Sequence, residues 1–363
     1  MQNSLWAHYF IRIILSIFFL IIIMNYIINP YNIFSHSYQG RYNYFKPYAL
    51  SDRMTKFYEA KHLNPSTLMM GTSRIGLFKY TYLNPYAPKP IYNLALAGSS
   101  IYEQTRYLEY MIKHKNIKMI VWGLDFFSFN PDKKNEVTFE DERLNKGIYL
   151  DDYITSLLAY RTFEKSIQTI KINFKHNYTK ELNRPYFEEA QYYKQQGQPY
   201  SRNKINKNVR NTLNEYKNHT EFLKSAHFSD PHSIDSSLKR VRYIIQLCKE
   251  KKIACVIYTS PVYVTHLDLI YSLGLGNTFD YWKKSLLSIQ PYNDFCTYNS
   301  VTSNIMNFRD STHITSNNGE IIFAKNFKNS KIFVPKDFGY TVTAKNINEH
   351  LNQQRKKHYE SSF

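Results

Sequence analysis

The amino-terminal thirty residues contain one long apolar run. Residues 11–28 read IRIILSIFFLIIIMNYII, and the polar residues that interrupt it are Arg12, Ser16 and Asn25. Eighteen helical residues are about 27 Å long, close to the thickness of the hydrocarbon core of a bilayer. A cleaved signal peptide would end in small residues, whereas Asn29-Pro30 follows this run. The pattern therefore predicts an uncleaved transmembrane signal anchor over 11–28, with residues 1–10 as its flank.

The charges beside this run leave the side of the membrane open. Arg12 is the basic side chain on the amino-terminal side, whereas the carboxy-terminal flank carries Arg41, Lys46, Arg53 and Lys56. The positive-inside rule would keep the body of the chain in the cytoplasm. Large carboxy-terminal domains are translocated largely regardless of their charge, so the rule does not decide the orientation here.

Beyond residue 62, short apolar runs alternate with segments of helical periodicity. The apolar runs predict strands over 66–71, 91–98, 118–125, 253–260 and 294–298. Helical spacing of apolar residues predicts helices over 101–115, 236–252 and 317–327. Strands separated by helices are typical of a parallel sheet that is covered on both faces. We therefore predict an α/β fold, a three-layer α/β/α sandwich with a parallel sheet of about five strands.

This alternation lapses over 131–234, which is rich in Lys, Asn, Gln and Tyr and has helical periodicity near 151–172 and 205–225. The stretch is interpreted as a helical insertion that divides the sheet domain into residues 63–130 and 235–335. Residues 29–62 are predicted to form a juxtamembrane linker. The charged tail over 336–363 is expected to fray.

Composition narrows the function classes. Hydrophobic residues make up 43% of the 363 residues, which is enough for a core and excludes a disordered protein. The net charge of +18 favours an anionic partner such as phospholipid head groups, acidic glycan or nucleic acid, or reflects a general compositional bias. The sequence has no phosphate-binding glycine loop, dinucleotide motif or zinc-protease motif, so no cofactor is predicted. Its three cysteines do not indicate a disulfide framework.

Two short motifs carry candidate chemistry. Ser73 follows the first predicted strand in Gly71-Thr72-Ser73-Arg74, at the carboxyl end of the strand, where ligands of parallel sheets bind. Asp310 and His313 are three residues apart, which lets the carboxylate reach the Nδ1 side of the ring and leaves Nε2 free to deprotonate a serine. Each motif alone also fits a simple structural role, a turn for the first and a helix cap for the second.

Other polar clusters are weaker candidates. His227, Asp230 and His232 have the look of metal ligands, but Pro231 is typical of a helix start, and no metal site is predicted. The basic stretch 200–211 could bind nucleic acid or an acidic glycan, or form a solvated face, which is the interpretation we favour. No nucleic-acid partner is predicted.

Together these motifs resemble the SGNH (GDSL-like) hydrolase superfamily. The similarity covers about 68–130 and 236–328 and includes LMMGTSR (68–74), YNLALAGSS (92–100), VWGLDFF (121–127) and FRDSTHIT (308–315). The chain is more narrowly similar to membrane-anchored bacterial members that have one amino-terminal helix, an Asn-Pro or Asp-Pro just after it and GTSR in place of GDS. Relatives of this type work with the machinery that acylates alginate, peptidoglycan and teichoic acid.

The resemblance implies roles for individual residues. Ser73 matches the nucleophile, His313 the base and Asp310 the acid that orients it, while the Gly98 N–H and the Ser73 N–H match oxyanion donors. The family has an asparagine where this chain has Asp125, and a carboxylate there would repel an oxyanion. Three explanations stay open: Asn93 or Asn130 substitutes as the donor, turnover is slow, or Asp125 has a structural role, which we favour.

The expected activity is that of a serine esterase or O-acyltransferase. It would modify cell-surface or exported polysaccharide through a Ser73 acyl-enzyme, with acetyl as the expected acyl group. The resemblance places the domain outside the bacterial cytoplasmic membrane, beside a polytopic acyl-transferring partner, with membrane lipid around the amino-terminal helix. The alternative is a catalytically degenerate domain that binds glycan or acts as a scaffold.

Overall fold

The chain folds into two compact units, which this computed structural model describes over residues 2–35, 42, 43, 46, 52–176 and 201–361. The helical unit comprises residues 1–63 and 140–191, and the sheet unit comprises 64–139 and 192–363. The helices, in chain order, are α1 (Gln2–Ile28), α2 (Asp52–Leu63), α3 (Ser73–Gly76), α4 (Ile101–His114), α5 (Asp141–Lys146), α6 (Leu150–Leu158), α7 (Tyr160–His176), α8 (Arg202–Asn218), α9 (Asp235–Glu250), α10 (Val264–Ser272), α11 (Gly276–Ile289), α12 (Asn318–Asn326) and α13 (Ile347–Ser361). The strands are β1 (Thr67–Met70), β2 (Ile91–Asn93), β3 (Met119–Leu124), β4 (Ala254–Thr259), β5 (Tyr292–Asp294) and β6 (Tyr340–Val342).

The helical unit contains the predicted membrane anchor. Within α1, residues Leu5–Ile28 are long and apolar enough to cross a membrane, and no other helix of the described residues passes this test. Most of its apolar side chains are exposed within the protein, as a lipid-facing helix requires. An apolar amino-terminal helix is therefore confirmed, and it starts earlier than residue 11.

The sheet unit is built on a six-stranded, mostly parallel sheet with the order β2-β1-β3-β4-β5-β6. The first five strands run parallel to their neighbours, whereas β6 pairs with β5 in the antiparallel sense. Every residue of β1 and all but the first of β3 are buried, which means that both faces of the sheet are covered there. The chain moves outward from β1 to β2 and then returns to β3, so the carboxyl ends of β1 and β3 flank the topological switch point.

The fifth strand lies earlier than predicted. The sequence pattern favoured 294–298, but β5 ends at Asp294. The reason is that side chains capture the backbone that follows: the Phe295 N–H donates to Thr259 Oγ1 and the Cys296 N–H donates to Asp294 Oδ1. Residues past Asp294 are therefore buried without continuing the sheet.

The carboxy-terminal tail does not fray, contrary to expectation. It supplies β6 and α13, and within α13 both His350 and Leu351 are buried. His350 Nε2 lies 2.9 Å from Asp294 Oδ2, and the same oxygen lies 2.8 Å from Lys283 Nζ. This buried charge cluster fixes the last helix to the end of β5.

The insertion and the linker also differ from the predicted organisation. Residues 131–234 contain α5, α6, α7 and α8 together with, where they are described, turns and irregular segments. They are shared between the units: 140–191 belong to the helical unit, whereas 131–139 and 192–234 belong to the sheet unit. The predicted linker 29–62 contains most of α2, whose Phe57 and Tyr58 are fully buried in the helical unit. Apolar side chains in both segments pack inward. The high content of polar residues in these segments does not indicate this packing.

Candidate functional site

Ser73 is presented by the turn that follows β1. Gly71 has φ +143°, and a Cβ atom there would run into the Gly123 carbonyl oxygen of β3, so glycine is required at this position. Thr72 then caps α3 by accepting a hydrogen bond from the Arg74 N–H at 3.3 Å. Ser73 is consequently the first residue of a helix, where the backbone N–H has no intrahelical acceptor.

The structure brings Ser73, His313 and Asp310 together in one hydrogen-bonded chain. Ser73 Oγ lies 2.8 Å from His313 Nε2, and His313 Nδ1 lies 2.8 Å from Asp310 Oδ2. These side chains are 240 and 3 positions apart in sequence. The geometry is that of a nucleophile, a general base and an orienting carboxylate.

The Asp310 carboxylate is held as the anion. Its Oδ1 accepts hydrogen bonds from the Thr312 N–H at 2.8 Å, the Thr312 hydroxyl at 2.9 Å and the His313 N–H at 2.9 Å. Burial alone would raise the pKa of Asp310, but His313 and these donors lower the pKa well below its ordinary value. An ionised Asp310 favours a proton on His313 Nδ1, which leaves Nε2 as the acceptor for the Ser73 hydroxyl proton.

Gly98 lies in the turn beside Ser73. The Leu96 N–H donates to the Gly71 carbonyl at 2.9 Å, which joins the turn after β2 to the turn after β1. Gly98 has φ +61°, in the left-handed region that favours glycine. Within the described ranges, the Gly98 N–H has no acceptor in the protein. Within the described residues neither the Ser73 N–H nor the Gly98 N–H donates to another protein group, so both remain available as donors.

Asp125 has the structural role that the sequence favoured. Its Oδ2 accepts a hydrogen bond from Thr72 Oγ1 at 2.5 Å, and its Oδ1 lies 3.1 Å from Arg74 Nη1. The Arg74 side chain is 5% exposed and that of Asp125 is fully buried. The carboxylate therefore binds the two residues that flank Ser73, and the guanidinium balances its charge.

Arg74 is the centre of a cluster that sequence reasoning missed. Its guanidinium carbon lies 5.2 Å from the centroid of the Phe127 ring, and it contacts the hydroxyl of Tyr216. Burial raises the pKa of Tyr216 to about 12, although Arg74 opposes this rise. The opposite charges of Arg74 and Asp125 could have indicated their pairing. No pattern indicated Tyr216, because it comes from the insertion.

His266 is a buried histidine beside this cluster. Its Nδ1 lies 3.3 Å from Ser311 Oγ, and its ring meets Tyr216 edge-on at 4.7 Å. Burial lowers the pKa of His266 well below its ordinary value, and the nearby Arg74 lowers it further. It is therefore a neutral side chain that packs behind the loop carrying His313.

The two asparagines named as substitute oxyanion donors are engaged elsewhere. Asn93 Nδ2 donates to the Gly76 carbonyl at 2.9 Å. Asn130 Nδ2 donates to the carbonyls of Thr220 and Phe222 at 2.7 and 2.8 Å, which uses both of its hydrogens. Asn130 as the substitute donor is therefore wrong: its amide orders the turn that follows α8. Asn93 binds the last residue of α3 through the Gly76 carbonyl.

The remaining polar clusters have structural partners. His227 Nδ1 lies 3.2 Å from Asp132, and Asp230 caps the turn at His232 by accepting from its N–H at 3.0 Å. Over the described residues, no group of three His, Cys, Asp or Glu side chains could hold a metal ion. The basic stretch 200–211 forms much of α8, which buries Ile205 and Val209 and exposes its cations.

Comparison with known proteins adds no relative to this site. No protein-family model matches the chain. No curated protein matches it at a significant level. The chemical interpretation of the site therefore depends on its geometry, in which Ser73 Oγ is hydrogen-bonded to His313 and His313 to Asp310.

Proposed function

We propose that the protein is a membrane-anchored, SGNH-like serine esterase or O-acyltransferase that modifies cell-surface or exported polysaccharide. The observation that carries this proposal is the hydrogen-bonded chain from Ser73 through His313 to Asp310 at the carboxyl edge of a parallel sheet. The covered sheet, with the strand order 2-1-3-4-5 for its parallel strands, supports the three-layer sandwich of that superfamily.

The proposed chemistry proceeds through an acyl-enzyme. Ser73 Oγ attacks the carbonyl carbon of an acyl ester while its proton passes to His313 Nε2. The N–H groups of Ser73 and Gly98 would stabilise the resulting oxyanion. The ester C–O bond then breaks, and His313 returns the proton to the departing alkoxide. Water or a sugar hydroxyl next attacks the acyl-Ser73, again with His313 as the base, and this acceptor decides between hydrolysis and transfer.

The location of the site supports a substrate in the envelope. The amino-terminal helix would tether the protein to the bacterial cytoplasmic membrane, with the sheet unit on the extracytoplasmic side. Polysaccharide exported through that membrane, and a polytopic membrane partner that delivers acyl groups, would then be within reach. The net charge of +18 is compatible with an acidic glycan acceptor.

The alternative is a degenerate binding or scaffold domain. One argument for it was the repulsion between Asp125 and a developing oxyanion, and this argument is weaker because Asp125 is bonded to Thr72 and Arg74, which engage its carboxylate within the fold. The absence of the asparagine donor at position 125 still favours this alternative.

The direct test is labelling of the detergent-solubilised protein with a fluorophosphonate, together with turnover of 4-nitrophenyl acetate. We expect labelling and turnover in the parent protein and the loss of both in Ser73→Ala and His313→Ala. Ser303→Ala is the matched control, because Ser303 is an exposed serine of the same unit. Absence of labelling in folded parent protein would contradict the proposal.

A further inference from the structure

Helix α6 presents the wrong side chains to solvent for a water-soluble protein. Leu150, Ile154 and Leu158 are spaced four residues apart, share one face and are 70%, 44% and 45% exposed. The buried positions of the helix are Asp152 and Ser156. A surface helix in water buries its apolar face, so this arrangement is inverted.

Helix α7 is inverted in the same way. Its buried face consists of the small or polar side chains Thr162, Ser166, Thr169 and Asn173. A separate face carries Phe163, Ile167, Ile170 and Phe174, which are half-buried or exposed, and Phe174 is 63% exposed. Helices that pack against each other in lipid use small and hydroxyl-bearing residues at their contacts and turn apolar residues outward.

The buried polar groups of α7 are satisfied inside the helical unit. Thr162 Oγ1 donates to the Thr155 carbonyl at 2.6 Å, and Thr169 Oγ1 donates to the Lys165 carbonyl at 2.7 Å. Asn173 Nδ2 donates to the Thr169 carbonyl at 2.7 Å. Hydrogen bonds within the protein are required for the buried polar side chains of a helix that no water reaches.

Both helices contact the end of the membrane-spanning helix. Asn25 of α1 is fully buried; its Nδ2 donates to the Leu157 carbonyl of α6 at 2.9 Å, and its Oδ1 accepts from Ser166 Oγ of α7 at 2.9 Å. The 24-residue segment Leu5–Ile28 extends about 36 Å, whereas the hydrocarbon core is about 30 Å thick. With the helix centred in the bilayer, Asn25 and its two partners lie close to the boundary between acyl chains and head groups.

The charges of α7 match that boundary. Arg161, Lys165, Lys171 and Lys175 follow the side of the helix away from its buried face, together with the single acid Glu164. Basic side chains beside an apolar stripe are typical of helices that lie in the plane of a membrane surface that contains anionic lipids.

We propose that α6 and α7 form a second membrane contact, lying in the interfacial layer of the bilayer beside α1. The apolar face of α6 (Leu150, Ile154 and Leu158) contacts acyl chains, and the cations of α7 contact lipid phosphates. The helical unit is thereby held against the membrane surface through more than its spanning helix. This proposal does not depend on the proposed enzymatic activity.

Fluorescence quenching at single labelled positions tests this contact. The full-length protein is inserted into vesicles of phosphatidylcholine and phosphatidylglycerol, with an environment-sensitive nitrobenzoxadiazole label on Ile154→Cys. The matched control is Thr155→Cys, the next exposed position of α6, which lies about 100° around the helix from Ile154. Unmodified protein gives the labelling background, since Cys248 and Cys296 are buried and Cys255 is half-buried.

We expect the label at position 154 to be quenched by nitroxide-bearing lipids and shielded from an aqueous metal quencher, with the reverse at position 155. Equal aqueous quenching at both positions would overturn the proposal. Shielding at position 154 from both quenchers would also overturn it, because a second copy or another protein would then cover the stripe. Leu158→Cys provides a second probe of the same face if Ile154→Cys does not fold.

Discussion

The Asp310→Asn variant tests how the proposed base is oriented. In the native site Asp310 Oδ1 accepts three hydrogen bonds from the residues that follow it, while Oδ2 faces His313 Nδ1. In the variant the amide oxygen keeps the three donors, so the NH2 group faces the ring. It donates to Nδ1, and the ring proton moves to Nε2, where it meets the Ser73 hydroxyl.

A histidine in that tautomer cannot accept the serine proton. Replacement of this kind in a serine–histidine–aspartate site lowers kcat about 10⁴-fold, which corresponds to about 5 kcal/mol of transition-state stabilisation. We therefore expect kcat for 4-nitrophenyl acetate to fall by about that factor, with fluorophosphonate labelling slowed in parallel. KM should change little, because no substrate contact is removed.

The control for this experiment is Asp230→Asn, which changes a carboxylate that caps an exposed turn of the same unit. It should leave kcat within about twofold, because it touches none of the three residues. Circular dichroism and the melting temperature must show that Asp310→Asn is folded. A fall in kcat of less than tenfold in the folded variant would refute the assignment of Asp310 as the orienting acid.

Three further variants probe the frame of the site. Asp125→Ala leaves the Arg74 guanidinium buried without its carboxylate and should lower the free energy of unfolding by about 3–5 kcal/mol in urea titrations; a loss below about 1 kcal/mol would show that the pair contributes as little as a surface pair. Burial would raise the pKa of Asp294, but its buried ammonium and imidazole partners lower it from 3.8 to about 2. The ionised Asp294 carboxylate thus contributes its full stabilisation above about pH 4, and this stabilisation is lost as the pH falls towards 2. Asp294→Asn has no such carboxylate, so its melting temperature should decline less steeply over this range than that of the parent protein. Gly71→Ala should abolish folding or labelling. Gly274 also has a positive φ but has open space around it, so Gly274→Ala should lower the melting temperature by only a few degrees. Equal effects of the two variants would show that close contact between position 71 and β3 is unimportant.

The sequence was sufficient for elements whose pattern reflects burial directly. The runs at 118–125 and 253–260 became β3 and β4 because most of their residues are apolar and lie inside the sheet. The helix predicted over 317–327 is α12, since its apolar spacing matches the face that it buries. The pairing of Ser73 with His313 followed from the resemblance, because no strand of the described residues ends beside His313: β5 ends at Asp294.

Other elements depend on contacts that no local pattern records. The sequence of the tail is typical of a solvent-exposed segment because most residues of α13 are polar. Only a few of its side chains are buried, and His350 and Leu351 are two of these. Their partners lie on β5 and α11, far away in the sequence. Helices α6 and α7 were also difficult to interpret, because an inverted helix has ordinary periodicity and only the structure shows which face is covered.

Asp125 is best understood together with its ion-pair partner Arg74. An asparagine at position 125 would leave the guanidinium of Arg74 buried without a counter-ion, and an uncharged residue at position 74 would leave the Asp125 carboxylate unpaired. Either single change costs more than the pair itself contributes. Because Asp125 also accepts the Thr72 hydroxyl, this pair holds the residues on both sides of Ser73. The pair therefore helps to position Ser73. Under the proposed function the oxyanion would have the backbone donors at Ser73 and Gly98, and a site with two donors in place of three should be slower by about a hundredfold or more.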